Sequence, residues 1–234
     1  MPNPHEKNHN AARGMVIRNV ILGGQDGLVN VLGIVLGVAT ATNSNQIVLL
    51  AGLAATFAES VSMAAVAYTS SKAEAEHYSV MVKQEFAEIE KDPKQEREEV
   101  AAIYREKGFS GKLLDQIVDK ICSDKKVWVQ TMMREELRLQ NPEDGMSPLK
   151  QGVLVGVSAI IGSVIPVAPF FFLPVSTSTL LALVLSLVVL FVAGAYKSHL
   201  TERGVIRGGF ELMIIGGFAA LAGYLVGVFF NVKV

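Results

Sequence analysis

The sequence predicts an all-α membrane protein with five transmembrane helices and a helical insert between the second and third. Three observations lead there. Half of the 234 residues are hydrophobic and only 18% are charged, against roughly 25% in an ordinary soluble domain. The charges are segregated, because residues 71–150 hold 14 Lys/Arg and 17 Asp/Glu, or 31 of the 43 charged residues. The rest of the chain contains five largely apolar runs of about 20 residues, the length that crosses roughly 30 Å of hydrocarbon. Mean hydropathy is +0.38, far too apolar for a disordered chain. A net charge of −1 supplies no basic field for nucleic acid, which is excluded as a partner. The single cysteine, Cys122, excludes an internal disulfide framework and a cysteine-built zinc site.

The chain divides into a tail (1–19), two spans (20–70), the insert (71–150) and three further spans (151–234). The tail is polar and lacks the apolar core of a secretory signal. The spans are expected at about Val20–Ala41, Ile47–Thr69, Gly152–Leu173, Val175–Tyr196 and Gly208–Val232, the third and fourth without a charge. Lys/Arg bias sets orientation. The tail, the insert and the loop Lys197–Arg207 hold twenty basic residues. The turns Thr42–Gln46 and Pro174 and the C-terminal Asn231–Val234 hold only Lys233. Tail and insert are therefore expected in the cytoplasm and the C-terminus outside, or in an organelle lumen.

Within the insert, the second span is expected to run on to about Lys91. Asp92-Pro93 reads as N-cap and first residue of a helix to about Lys107, closed by Gly108. Ser110 is a candidate cap for a helix across Leu113, Leu114, Ile117, Val118 and Ile121. Ser123-Asp124 caps a last helix with Val127, Trp128 and Met132 at core-like spacing, ended by Asn141-Pro142. This gives a small all-helical cytoplasmic domain on a helical stem.

Several polar side chains interrupt the apolar runs. Asp26 falls about 12 Å into the first span, counted from Arg18. A carboxylate there faces a cavity, a partner or an ion path; the plainer alternative is a helix that starts at Gly27 with Asp26 at the interface. Glu59 lies about 18 Å from the cytoplasmic exit of the second span and Met63 about 12 Å. Antiparallel helices bring Asp26 and Met63 level, with Glu59 one turn deeper on Met63's face. Two hard oxygens and a soft sulfur at successive depths suit a borderline divalent metal. Met63 alone would read as packing. Asn30, one turn after Asp26, is placed to line the same path. Gly33 and Gly37 form a small-xxx-small pair suited to close helix approach, including self-association.

In the insert, Glu85 and Glu88 are i,i+3 on one helix and Glu96 and Glu99 on the next, with Asp92 extending the line. Folding at Asp92-Pro93 would gather the four into a carboxylate cage. Met132, Met133 and Glu136 offer two thioethers and another carboxylate. The alternative is a solvated acidic face with counter-charges nearby. His5 and His9 lie in the polar tail, and His199 lies in a basic loop. Glu74-x-x-His77 has di-iron spacing, but a di-iron bundle needs two such motifs, so it reads as stem surface.

The pattern resembles the vacuolar iron transporter family from about Arg18 to Val228. The resemblance rests on Gln25-Asp26-Gly27-Leu28, Ser62-Met63, Lys72-x-Glu74-Ala75-Glu76-His77-Tyr78, the run Trp128 to Leu137, and Ile165-Pro166-Val167-Ala168-Pro169. It implies a homodimer whose first spans line a central metal path. It also implies export of Fe2+ from the cytosol by proton antiport, with metal as substrate and no resident cofactor. Mn2+ and Zn2+ remain alternative cargoes. Asp26 and Met63 match the family's path residues. Glu85, Glu88, Glu96, Glu99, Met132, Met133 and Glu136 match its cytoplasmic metal-binding domain. One position departs: the path glutamate two turns before the methionine is here Ala55, and Glu59 is a candidate replacement. The compact chain suits a prokaryotic cell membrane, with a vacuolar or other endomembrane as the eukaryotic counterpart. The expected activity is transport rather than catalysis. The alternatives are a membrane-anchored di-iron oxidase and a metal-sensing membrane protein that moves nothing.

Overall fold

The computed structural model describes residues 4–142, 145–202 and 204–230, with side chains from Gly14 onward. The Asn231–Val234 terminus with Lys233, and the His5 and His9 side chains, lie outside the described residues. Eight α-helices are described: α1 Pro4–Ala41, α2 Asn45–Lys91, α3 Pro93–Glu106, α4 Gly111–Cys122, α5 Lys125–Glu135, α6 Pro148–Val167, α7 Val175–Leu200 and α8 Val205–Phe230. Five are long and apolar enough to cross a membrane, namely α1 from Gly14 on, α2, α6 with its extension to Phe171, α7 and α8. The chain separates into two compact units, residues 1–69 with 148–234, and residues 70–147.

In the first unit α1 is the central helix. It packs against α6 and α8, both parallel to it, and these contacts are made through glycine. A Cβ on Gly23 or Gly27 would strike the Val155 or Ala159 carbonyl of α6, and one on Gly37 would stand 2.9 Å from the Gly223 carbonyl of α8. Gly33 meets the Ala219 carbonyl in the same way. Small residues let helix backbones approach closely where lipid removes any hydrophobic drive to associate. Gly33 and Gly37 therefore serve packing within one chain, and the self-association reading of that pair is corrected. Gly194 and Gly208 make the corresponding contact between α7 and α8.

Away from these seams the helices present apolar side chains outward, among them Leu50, Phe218 and Phe229 at 72%, 68% and 83% exposure. A surface of that kind is suited to acyl chains and not to water. The third span departs from expectation, since its α-helix stops at Val167 and Ala168–Phe171 is a 3₁₀ turn. Pro166 and Pro169 cannot donate into the ladder, so the coil tightens there. The turn is tied down by Ser178 Oγ, which donates to the Pro169 and Leu173 carbonyls, and by Asn45 Nδ2, which donates to Leu173 O at 2.7 Å.

The second unit is the end of α2 with α3, α4 and α5 around an apolar core that includes Ile89, Val100, Val118, Trp128, Met132 and Met133. Asp92 caps α3 by accepting from Gln95 N, and Asp124 caps α5 by accepting from Lys126 N and Val127 N. Gly108 ends the α3 turn at φ +92, where a residue without Cβ is unstrained. Three details differ from the sequence reading. Ser110 precedes α4 but makes no side-chain capping bond. Val127 and Leu113 are exposed and not core. Finally, α5 stops at Glu135 rather than near Asn141. Glu136 N and Leu137 N share the Met132 carbonyl, Leu139 N donates to Met133 O, and Arg138 takes φ +54. The last carbonyls are thereby satisfied by a left-handed C-terminal turn.

Candidate metal path and acidic cluster

In the membrane-spanning unit, α1 and α2 run antiparallel, because Asn30 meets Glu59 and Val35 meets Gly52. Asn30 Nδ2 donates to Glu59 Oε1 at 3.0 Å. The Asp26 carboxyl, one turn earlier on α1, lies within hydrogen-bond reach of the same Glu59. The constant register places Asp26 opposite the turn that carries Met63, which is half-buried. Two carboxyl groups and a carboxamide from two helices thus converge inside the spans. Apolar surroundings make each of them costly to hold there without a partner or a cargo. The Asn30 side of the cluster is open at the surface of the chain. Ala55, one turn from Glu59, packs instead against the apolar group of Val31, Val35 and Val48.

One intramembrane carboxylate was passed over in the sequence. Glu211 lies about 9 Å into α8 and is exposed. The rule applied to Asp26, a carboxylate inside an apolar run, would have found it.

In the second unit, Glu85 and Glu96 are buried at 4% and 6% exposure, and Oε2 of each has no hydrogen-bond partner. The helices explain the placement. Glu85 is one turn before core residue Ile89, Glu96 one turn before Val100, and Glu136 one turn after Met132. Each carboxylate therefore stands at the rim of the same core. Burial, then repulsion from Glu136, Glu88, Glu96 and Glu99, pushes Glu85 up to about 7. Burial, then Glu99, Glu88, Glu136 and Asp92, pushes Glu96 up to about 7. Glu136 is also raised, by burial and then by Glu99 and Glu88.

Among the described residues none of Glu85, Glu88, Glu96, Glu99 and Glu136 is in an ion pair. A solvated face balanced by neighbouring cations does not fit two buried, unpaired carboxylates. The group is still not a closed cage, for among the described residues no three His, Cys, Asp or Glu side chains converge at metal-ligand spacing. Met132 and Met133 are fully buried in the apolar core. Glu74 and His77 are exposed on α2. Like charges held together at a low-dielectric rim bind protons or a cation more readily than an isolated surface carboxylate does.

Known proteins resemble this chain over most of its length. A family model described as the VIT family matches residues 17–228. Vacuolar iron transporter 1 of Arabidopsis thaliana is 32% identical over 94% of this chain and 88% of its own length. A vacuolar iron transporter of Toxoplasma gondii is 32% identical over 95% of this chain and 77% of its own. That of Plasmodium falciparum is 29% identical over 96% and 85%.

Proposed function

The chain belongs to the VIT family, and from that premise we propose that it moves a divalent metal, foremost Fe2+, out of the cytosol in exchange for protons. The observation that carries this is the meeting of Asp26, Asn30 and Glu59 between two membrane-spanning helices. Carboxylate and carboxamide oxygens are hard donors and the Met63 thioether a soft one. Together they suit a borderline cation such as Fe2+, with Mn2+ and Zn2+ as competitors. A carboxylate takes up a proton or a metal but not both well. A proton arriving from outside therefore displaces the cation, and proton loss on the other side re-arms the site.

The polar cluster is open on one side within the chain, and bare lipid there would be costly. A second copy facing it across α1 and α2 closes the path, which makes the working unit a homodimer. The insert acts on the cytosolic side: Glu85, Glu88, Glu96, Glu99 and Glu136 collect metal, while Met132 and Met133 fill the apolar core beneath them. Supporting this role are the two buried carboxylates whose oxygens lack partners.

The test is metal flux in proteoliposomes under an imposed pH gradient, with Fe2+, Mn2+ and Zn2+ in competition. Asp26→Asn and Met63→Ala should each abolish flux while leaving the folded, detergent-soluble protein intact. Full transport by both variants would remove this path.

A further inference from the structure

The membrane-spanning unit has an open groove of about 520 Å3 between α1, α6 and α7. Its walls are apolar, and Val20, Ile161 and Val192 stand 43%, 64% and 59% exposed along them. Its floor includes Gly24 and Gly162, where the two helix backbones touch and no side chain fills the space. The groove runs along α1 from Val16 to Leu28, roughly 18 Å at 1.5 Å per residue. That is close to one leaflet of a hydrocarbon core about 30 Å thick.

The charges at its outer end are specific. Tyr196 lines that end. The contacts of Gly23 with Val155, Gly33 with Ala219 and Gly194 with Gly208 fix the helix registers. They bring Arg18, Lys150 and the Tyr196–Lys197 pair to one level. All three cations are exposed, and none is paired with a described acidic residue. Of the described carboxylates nearest this end, Glu202 lies beyond α7 in the following turn, and Glu211 lies about 9 Å down α8.

We infer that this groove seats an anionic glycerophospholipid, with its phosphate against Arg18, Lys150 and Lys197 and one acyl chain lying along α1. Basic side chains at the membrane surface attract anionic headgroups. Tyrosine favours the same interfacial level. The length, polarity and charge of the groove then match one molecule of one leaflet. The inference rests on the membrane-spanning reading of these helices and does not depend on what is transported.

The full chain in mild detergent would be offered phosphatidylglycerol and phosphatidylcholine of identical acyl chains, with retained lipid counted by native mass spectrometry. Phosphatidylglycerol should be retained preferentially, and R18Q, K150Q and K197Q should each cut that preference by about fivefold. Ile161→Trp, on an exposed wall, should reduce retention of both lipids without altering folding. Equal retention of the two lipids in the parent chain and in all variants would overturn the inference, leaving only the ordinary lipid annulus. So would an efficient disulfide between two copies carrying Ile161→Cys, because a second chain would then occupy the groove. Metal flux measured on the same variants separates a failure here from a failure of the transport reading.

Discussion

Asn30 donates the hydrogen bond that holds Glu59 beside Asp26. A side-chain hydrogen bond is worth about 0.5–1.5 kcal/mol net. Asn30→Ala should therefore weaken metal loading by up to about tenfold, and Glu59→Gln should change the dependence of flux on the pH gradient. Flux that keeps its wild-type pH dependence in Glu59→Gln would show that Glu59 carries no coupling proton. In the insert, the raised Glu85 and Glu96 carboxyls hold protons in the folded chain at pH values where the unfolded chain has lost them. Their contribution to stability is complete at low pH and is lost as pH rises from about 4.5 to about 7. Glu85→Gln with Glu96→Gln should flatten that loss and raise the unfolding temperature at pH 8. Metal binding has the opposite slope, since protons compete below about 7. Trp128 is the single tryptophan and belongs to the same core, so its fluorescence reports both effects. A metal affinity unchanged between pH 6 and 8 would place the metal elsewhere. The individual glutamates were legible as spaced pairs, but spacing could not tell which were buried. That depends on Ile89, Val100 and Met132 drawing three helices onto one core.

Between helices, the decisive contacts are backbone to backbone. A Cβ on Gly223 would collide with the Gly33 carbonyl, whereas one on Gly217 would meet nothing within 4 Å. Gly223→Val should cost about 1–3 kcal/mol through overpacking, with Gly217→Ala nearly neutral, as read by thermal unfolding in detergent. Equal stability of the two would refute the tight α1–α8 seam. Helix existence was visible in the apolar runs and in breakers such as Asp92-Pro93. Helix ends were not always so. The end of α5 is set by a left-handed residue, Arg138, that no glycine announces. The third span closes early because its two prolines lie close together. The small-residue pair Gly33/Gly37 was visible as a close-approach motif, but not the helix that answers it, which is α8 of the same chain.

For the whole chain, the bias of basic residues makes a topological prediction. In a Cys122→Ser background, Asn43→Cys should react with an impermeant maleimide from outside intact cells, and Lys112→Cys only in inverted vesicles. Labelling of Lys112→Cys from outside would reverse the direction of transport. The sequence alone determined five apolar helices, a polar helical insert and the family. Length, hydropathy and motif are local properties, and the bilayer admits few solutions to a run of twenty apolar residues. Tertiary structure decided which polar groups meet. Asp26 and Glu59 are 33 positions apart, and only the antiparallel register of α1 and α2 brings them together. The unpaired burial of Glu85 and Glu96 likewise follows from helices closing on a shared core, a packing outcome that no single segment encodes.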